Sequence, residues 1–311
     1  SAASDVYKRQ FNNTTAGIRQ FIGTLPKDGS IHCVMEATGN YSALLLYMLN
    51  VAGITVSMEN PLKVKNFAKA MLSTIKTDKS DARLITLYGE KMNPRPFKVQ
   101  GEAILRLRQK RTVIRQLTKQ ITAMSNLRGS LACLPVPDKG ATHTVDETIK
   151  FLEKRRDRLQ SELTDLVEVE FSRQLALLTT IKGIGITLAT ALILTTGGFT
   201  YFQNAKQVSR YLGICPTYEQ SGTSVNIKGH INRNGDAYTR GLLYIAAWPA
   251  SRFNAQCKET YTRLRQNGKS GKLAMIAVAN KLVRQAFAVV AHDKDCLLYT
   301  SDAADDGESV D

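Results

Sequence analysis

Two aspartates at the start of a predicted helix carry side chains that could do chemistry. Asp78 and Asp81 lie close together in the segment KTDKSDARLI. Their spacing places both carboxylates on one face of a helix. Carboxylate oxygens are ligands that Mg²⁺ prefers, so the pair could form half of a divalent-metal site. The opposing interpretation is that the two acids only stabilise a helix N-terminus through its dipole.

A third acid stands at the end of a predicted strand. Glu36 follows the apolar run in GSIHCVMEA, which predicts a buried strand. Mg²⁺-dependent cutting of phosphodiesters requires several carboxylates around two metal ions. Taken alone, Glu36 could equally be an ordinary strand-end acid. The ordered set of Glu36, Asp78 and Asp81 in a basic chain favours a site for Mg²⁺ or Mn²⁺.

The charge of the chain indicates a polyanionic partner. Its 311 residues include 42 lysines and arginines against 27 acids, a formal net charge of +15. This excess favours nucleic acid over a basic surface kept for solubility alone. The five cysteines show no short Cys/Cys or Cys/His spacing, which argues against a zinc site or a disulfide framework and fits a reducing cytoplasm. No apolar run is expected to span a membrane, since Lys281 and Arg284 interrupt the last one.

The two ends of the chain differ in character from the rest. One DNA can be chosen that encodes residues 5–10 on one strand and residues 296–301 on the other, in a shifted frame. Both ends resemble translations of a tagmentation sequencing adaptor. We therefore expect residues 1–10 to be an assembly artefact and residues 296–311 to be an artefact followed by an unassigned tail. Asp5 falls within the first artefact and is not a candidate metal ligand.

Residues 11–95 show the alternation of an α/β domain. Helices flank two predicted strands, which is typical of a parallel sheet. An RNase H-like fold places its carboxylates on the first strand, at the end of a later strand and on a helix near the end of the domain. Glu36 fits the second place, and Asp78 with Asp81 fits the third. The acid-bearing first strand is absent, so we expect a truncated RNase H-like domain.

Residues 96–170 carry two apolar seams with heptad spacing, separated by the turn sequence CLPVPDKG. They predict an antiparallel helical hairpin or a coiled coil in an oligomer. The basic face of the first helix is either a solvated flank or a nucleic-acid contact. The seam residues are Leu107, Ile114, Leu117, Ile121, Met124 and Leu131, then Ile149, Leu152, Leu159, Leu163 and Leu166. The candidate nucleic-acid contacts are Arg106, Arg108, Lys110, Arg111 and Arg115.

Residues 171–295 predict a mostly helical domain. The segment LLTTIKGIGITLATAL is typical of a helix-hairpin-helix turn, which would place Lys182, Gly183 and Gly185 against a phosphate. A tight turn between helices would use the same glycines. A short helix, a polar glycine-rich stretch and two closing helices follow. Trp248, among small apolar residues, is predicted to lie in the core.

Six motifs occur in order along the chain, and the resemblance that they carry covers essentially residues 11–295. They are NTTAGIRQF, MEATGNYS, KTDKSDARLI, IKGIGITLATAL, RYLGICPTYEQSGTS and GDAYTRGLLYIAA. Together they resemble the DEDD transposases of bacterial insertion sequences, the RNA-guided serine recombinases of the one-ten/eleven-eleven group. The resemblance implies a RuvC-type domain, a coiled-coil middle and a helical transposase domain. It also implies DNA and a structured guide RNA as partners, a homo-oligomer (dimer or tetramer) and a cytoplasmic, nucleoid-associated location in bacteria.

The same resemblance assigns roles to individual residues. Glu36 matches the family's metal-binding glutamate, and Asp78 and Asp81 match its closing pair of aspartates, while its first aspartate has no counterpart here. Ser221 matches the serine that attacks DNA and holds it covalently. Ser224 is a second candidate for that nucleophile. Without the resemblance, Ser-Gly would predict only a turn.

Cations near this serine could bind the phosphate under attack. A serine hydroxyl is a poor nucleophile unless a base or a metal activates it and positive charge stabilises the transition state. Arginine matches the geometry of a phosphate best. The candidate contacts are Lys228, His230, Arg233 and Arg240, of which His230 could equally have no role.

Three functions are compatible with these residues. The first is a site-specific DNA recombinase that works with guide RNA and Mg²⁺. The second is a junction-resolving nuclease, which cuts by metal-activated water and needs the carboxylates but not Ser221. The third is a basic protein that binds nucleic acid without chemistry. Because the first acid is absent, we expect little or no activity from the chain as written.

Overall fold

The computed structural model describes residues 10–26, 29–72, 77–97, 101–221, 225–231 and 235–295, with the backbone alone for 217–220 and 225–230 and at Ser221. The chain divides after Val99 into two compact units. Helices predominate, and the first unit adds a small parallel sheet. This agrees with the predicted mixture of an α/β part and an all-α part. It does not by itself establish a RuvC-like fold.

The first unit is built around two parallel strands. Its elements are α1 (Thr15–Gly23), β1 (His32–Glu36), α2 (Asn40–Val51), β2 (Thr55–Glu59), α3 (Pro61–Ala70) and α4 (Asp78–Met92). The register places Glu36 opposite Glu59, so both strands end in an acid at the same edge. β1 is half-buried rather than fully buried as predicted. The order of helices and strands confirms the predicted alternation.

Local signals in the sequence set the ends of these elements. Gly53 adopts a positive φ of 73° after α2, which is the left-handed conformation that glycine favours. Asn60 caps α3 by accepting a hydrogen bond from the Leu62 amide. Thr77 caps α4 in a reciprocal arrangement with Ser80. The core of the unit contains Leu46, Leu49 and Val56.

The second unit begins with the predicted helical hairpin. Its helices are α5 (Glu102–Ala132) and α6 (Lys139–Glu170), which pack along each other. The predicted seam is right for Leu107, Ile121 and Leu163, which are buried. It is wrong at the end of α6, where Val167 is fully buried and Leu166 is 36% exposed. A heptad repeat drifts relative to a straight helix, so the buried position moves by one residue.

Shorter elements make up the rest of the second unit. They are α7 (Ser172–Thr179), α8 (Ile186–Thr196), α9 (Ala205–Tyr211), β3 (Pro216–Ser221), β4 (Val225–Ile231), α10 (Ala237–Phe253), α11 (Ala255–Gln266) and α12 (Gly271–Ala291). Among them, α7 contacts α6 and α8 contacts α5. The helix–GxG–helix pattern is confirmed as α7, a turn and α8. Two features were not predicted: the antiparallel β3–β4 hairpin in the polar stretch, and α11 between the two closing helices.

Helix α12 forms the centre of the second unit. It buries Val278, Leu282 and Val283, among others, against α9, α10 and α11. By length and composition it could also cross a membrane, which the sequence prediction had excluded. Its burial within the core accounts for its apolar character. Trp248 corrects another prediction: it lies on the outer side of α10 and is 49% exposed.

Candidate active site and nucleic-acid interface

Helix α4 carries Asp78 and Asp81 in its first turn and packs on the strand that ends in Glu36. The contact is close at Gly89, where an added Cβ would lie 2.9 Å from Cγ2 of Val34. A glycine at this point therefore lets α4 approach β1. The helix and the strand predicted to supply the carboxylates are thus neighbours within one unit.

A second contact fixes the same helix to the strand edge. Tyr88 of α4 is buried, and its ring meets Phe67 of α3 edge to face. Burial raises the pKa of the Tyr88 hydroxyl, and the nearby Glu59 carboxylate raises it further. Glu59 also pairs with Lys63 at 2.8 Å. Glu59, which was not predicted as a site residue, therefore ties β2, α3 and α4 together beside Glu36.

The carboxylates have suitable chemistry for a hard cation, but they are not gathered into a complete site. Across the described residues, no group of three or more histidine, cysteine, aspartate or glutamate side chains is arranged to hold a metal ion. Glu36 is half-buried at the strand edge, Asp78 is exposed and Asp81 is half-buried. The described residues therefore do not form a metal site by themselves.

The basic side of α5 has partners within the second unit. Arg108 donates from Nε to the Leu194 carbonyl at 2.9 Å and from Nη2 to the Thr195 carbonyl at 3.1 Å. These carbonyls belong to the last turn of α8, where a cation interacts well with the helix dipole. Lys110 pairs with Glu162 of α6, and Arg106 pairs with Glu102 on its own helix. Of these three bases, Arg106 is the most exposed, with 73% of its side chain accessible.

Arg111 and Arg115 converge on one carboxylate, that of Asp236. Arg111 forms an ion pair with Asp236, and Nη1 of Arg115 lies 3.0 Å from its Oδ1. Both guanidinium groups also lie 5.6 Å from the ring centre of Tyr238. Arg111 further donates to the Thr195 hydroxyl at 2.8 Å. This network joins α5 to α8 and to the start of α10.

Asp236 has two structural roles in that network. It is the N-cap of α10, where Oδ2 accepts hydrogen bonds from the amide and the hydroxyl of Thr239 at 3.2 and 2.7 Å. Burial alone would raise the pKa of Asp236, but the Thr239 hydrogen bonds and the two guanidinium charges outweigh it and hold the pKa below 3.8. Burial lowers the pKa of the Arg111 guanidinium below its ordinary value, and the Asp236 carboxylate acts in the opposite direction. Arginine nevertheless stays charged at neutral pH.

The glycine turn between α7 and α8 is fixed by packing on one side and open on the other. Gly183 has a φ of +108°, and an added Cβ would lie 2.7 Å from the Ala250 Cβ on α10. Gly185 is the N-cap of α8 and has open space around its Cβ position. Lys182 is exposed. The positive φ and the close contact with α10 are enough to explain why residue 183 is a glycine. Lys182 and Gly185 lie on the open side of the turn.

The predicted nucleophile lies at the far end of the β3–β4 hairpin. Ser221 is the last residue of β3 and is paired with Val225, whereas Pro216 pairs with Ile231 at the other end. Lys228 lies within β4. Ser224 and Arg233 lie outside the described residues. Gly235 directly precedes Asp236, the capping residue of α10.

Two family models match the chain in the order that the motifs predict. The model described as "Transposase IS116/IS110/IS902 family" matches residues 175–262, which contain the glycine turn, the β3–β4 hairpin and α10. A DEDD model of the same IS110 group, described as "Transposase", matches residues 1–132, which contain the three acids and α5. The chain belongs to the IS110 family of transposases. The second match begins at residue 1 and so includes the ten residues predicted to be an artefact.

Several curated proteins are similar to this transposase. A pilin gene-inverting protein of Moraxella bovis is 29% identical over 273 residues, which cover 85% of this chain and 81% of the relative. An uncharacterized protein of insertion element IS110 from Streptomyces coelicolor is 26% identical over 148 residues, or 48% of this chain and 35% of the relative. A probable family 20 transposase of Pseudomonas aeruginosa is 26% identical over 165 residues, or 52% of this chain and 48% of the relative. The transposase is accordingly an enzyme of DNA recombination.

The structure brings some of the predicted site residues of the transposase into contact with the rest of its second unit. Arg111, Arg115 and Arg108 all hold α5 against neighbouring helices, and none was predicted to do so. Their contact with nucleic acid stays a prediction. The roles of Ser221 and of the three acids likewise stay predictions at this point.

Two features of the transposase were missed although the sequence contains signals for them. Val225, Ile227 and Ile231 alternate with polar residues, which is the pattern of a strand. Asp236 directly precedes a helical segment, which is the pattern of an N-cap. That Asp236 would meet two arginines more than a hundred positions earlier has no local signal.

Proposed function

We propose that this transposase cuts and rejoins DNA through Ser221. The Ser221 Oγ forms a bond to phosphorus, the bond from phosphorus to a deoxyribose oxygen breaks, and the hydroxyl proton leaves to a base or to solvent. The resulting phosphoserine link retains the bond energy, so the strands can rejoin without ATP. The observation that carries the proposal is the position of Ser221 at the far end of a hairpin within the part that matches the transposase family.

We assign Glu36, Asp78 and Asp81 to a site for Mg²⁺ or Mn²⁺ that is completed by an acid outside the described residues. The packing of α4 on β1 and the DEDD family match support this assignment. A bound ion would supply Lewis-acid stabilisation of charge on the phosphate oxygens. The protein's own part is to hold the three carboxylates at one edge of the sheet, in a domain that we propose to be RuvC-like.

The proposed partners are DNA and a structured guide RNA, with the transposase acting as a dimer or tetramer in the bacterial cytoplasm. The net charge of +15 supports a nucleic-acid partner. The Moraxella relatives are pilin gene-inverting proteins, and inversion of a gene requires cutting and rejoining of DNA. Site-specific recombination is therefore the reaction class that we propose here.

The test is the capture of a covalent protein–DNA adduct. The protein encoded by the intact genomic locus is incubated with its DNA, RNA and Mg²⁺, denatured, and separated on a denaturing gel. Ser221→Ala should abolish the adduct, while Ser224→Ala, the matched control nearby in the sequence, should retain it. Retention of the adduct by Ser221→Ala and its loss in Ser224→Ala would move the nucleophile to Ser224.

The same experiment separates the two alternative functions. DNA cutting that persists in Ser221→Ala without any adduct would identify a nuclease that uses metal-activated water. Binding without cutting, in every variant, would identify a nucleic-acid-binding protein with no chemistry. Asp81→Asn should abolish metal-dependent cutting under both enzymatic hypotheses, so it tests the carboxylates independently of the serine.

A further inference from the structure

The two ends of the segment that carries the β3–β4 hairpin are held together at one point. Leu212, just before the segment, is fully buried, and Ile214 is 2% exposed. Gly235, which is four residues after the end of β4 in the sequence, lies against Leu212, because an added Cβ would be only 2.4 Å from the Leu212 carbonyl carbon. A residue with a side chain would therefore push the two ends apart.

Arg240 bridges the same two ends. Its Nη1 donates to the Gly235 carbonyl at 2.6 Å and to the Leu212 carbonyl at 3.4 Å. A planar guanidinium presents several donors in a fixed geometry, so it can hold two acceptors in a defined relation. On the sequence alone, Arg240 was a candidate contact for the phosphate under attack.

The contact of Arg240 and Gly235 with Leu212, which we call the clamp, is itself anchored in the second unit. Asp236 follows Gly235 directly and is held by Arg111 and Arg115 of α5. Arg240 lies on the first turns of α10, which Asp236 caps. The direction in which the hairpin leaves the helical body is thus set by a few side chains at its base.

Small errors at this base become large at the far end of the hairpin. Five residue steps separate Pro216 from Ser221, which corresponds to about 17 Å at the rise per residue of an antiparallel strand. A tilt of about 10° at the base would displace the far end by roughly 3 Å over that length. A misplacement of about 1 Å can reduce a catalytic rate on the order of 100-fold. An isolated two-stranded hairpin is only marginally stable in water, so contacts at its base matter for its position.

We propose that Arg240 and Gly235 are positioning residues, which clamp the base of the β3–β4 hairpin and thereby place Ser221 for attack on DNA. The inference rests on the proposed role of Ser221. It assigns to Arg240 a contact with two backbone carbonyls rather than with a phosphate. Gly235 is required because no side chain fits between the two ends.

The test compares Arg240→Gln and Gly235→Ala with Arg252→Gln, a control at the exposed opposite end of α10. In both clamp variants, hydrogen–deuterium exchange should rise in peptides covering residues 216–231 and stay unchanged in α12. The single-turnover rate of adduct formation at saturating DNA should fall at least tenfold, with DNA affinity unchanged. Arg240→Lys, which keeps the charge, should not restore the rate.

The salt dependence of DNA binding separates the clamp from a phosphate contact. Loss of one phosphate contact lowers the slope of log K against log salt by about 1. The clamp predicts an unchanged slope for Arg240→Gln. A reduced slope with unchanged exchange in the hairpin would overturn the proposal, as would unchanged exchange in both clamp variants. If Gly235→Ala does not fold, Arg240→Gln and Arg240→Lys decide the result.

These readouts also separate a failure of the clamp from a failure of the proposed function. The exchange and salt measurements do not depend on which residue attacks DNA. If Ser221→Ala retains the adduct, the assignment of the nucleophile fails while increased exchange still supports the clamp. If Ser221→Ala loses the adduct and both clamp variants keep the rate of the unmodified protein, the clamp fails alone.

Discussion

Replacing Asp236 with alanine should destabilise the second unit more than the loss of an ordinary helix cap. Asp236 and Asp138 are both N-caps, of α10 and α6 respectively. Asp138 is exposed, whereas only 18% of the Asp236 side chain is accessible. The two substitutions therefore remove the same kind of cap, and only one of them removes an ion-pair network.

The expected magnitude follows from the environment of each carboxylate. Loss of an N-cap aspartate costs about 1 kcal/mol. Asp236→Ala also leaves Arg111, 14% accessible, without its carboxylate. Removing one partner of a buried ion pair costs about 3–5 kcal/mol, and we take about half of that because Arg115 is 40% accessible and solvent reaches the network. We therefore expect about 3 kcal/mol for Asp236→Ala and about 1 kcal/mol for Asp138→Ala.

The free energy of unfolding can be measured with urea through the fluorescence of Trp248, the single tryptophan, which lies on α10. Asp236→Asn should fall between the two alanine variants, because an amide can still cap the helix without the negative charge. Equal losses in Asp236→Ala and Asp138→Ala, within about 0.5 kcal/mol, would refute the reasoning. The network would then contribute nothing beyond the cap.

The pH dependence of stability provides a second measurement on the same residue. The pKa of Asp236 is lower in the folded protein than the reference value of 3.8, so the unfolded state binds more protons in acid. The stability that Asp236 contributes is complete above that reference value and is lost as the pH falls below it towards the folded-state pKa. Asp236→Asn should accordingly flatten the loss of stability below about pH 4, relative to the unmodified protein.

Two further predictions compare similar residues in different surroundings. Gly89→Ala should fail to stabilise the protein because its Cβ would meet Val34, whereas Gly129→Ala, in open space on α5, should stabilise it by up to about 1 kcal/mol. Thermal unfolding measures both variants. A gain in stability at both sites would contradict the close contact of α4 with β1. Trp248→Ala should lower the free energy of unfolding by less than about 1 kcal/mol, whereas Leu243→Ala, at a fully buried position on the same helix, should lower it by about 3 kcal/mol. Urea unfolding followed by circular dichroism measures both variants. Equal losses of stability would place Trp248 in the core after all.

The sequence by itself determined most of the local elements and the family. The helix start at Asp78 and Asp81 and the heptad seams of α5 and α6 depend on residues a few positions apart. Periodicity and capping are local, so they can be recognised without the fold. The ordered motifs predicted the IS110 family correctly for the same reason, since each motif is a short local pattern.

Only the tertiary structure decided what the polar side chains contact and whether an aromatic side chain is buried or exposed. Arg111 and Arg115 were candidates for a contact with nucleic acid, which stays a prediction, and the fold brings them to Asp236 on another helix. Trp248 had been placed in the core, yet α10 turns it outward. Both outcomes depend on how helices far apart in the chain pack together. Arg240 shows the same limit, because its partners are backbone carbonyls brought together by the fold, and backbone atoms carry no signature in the sequence.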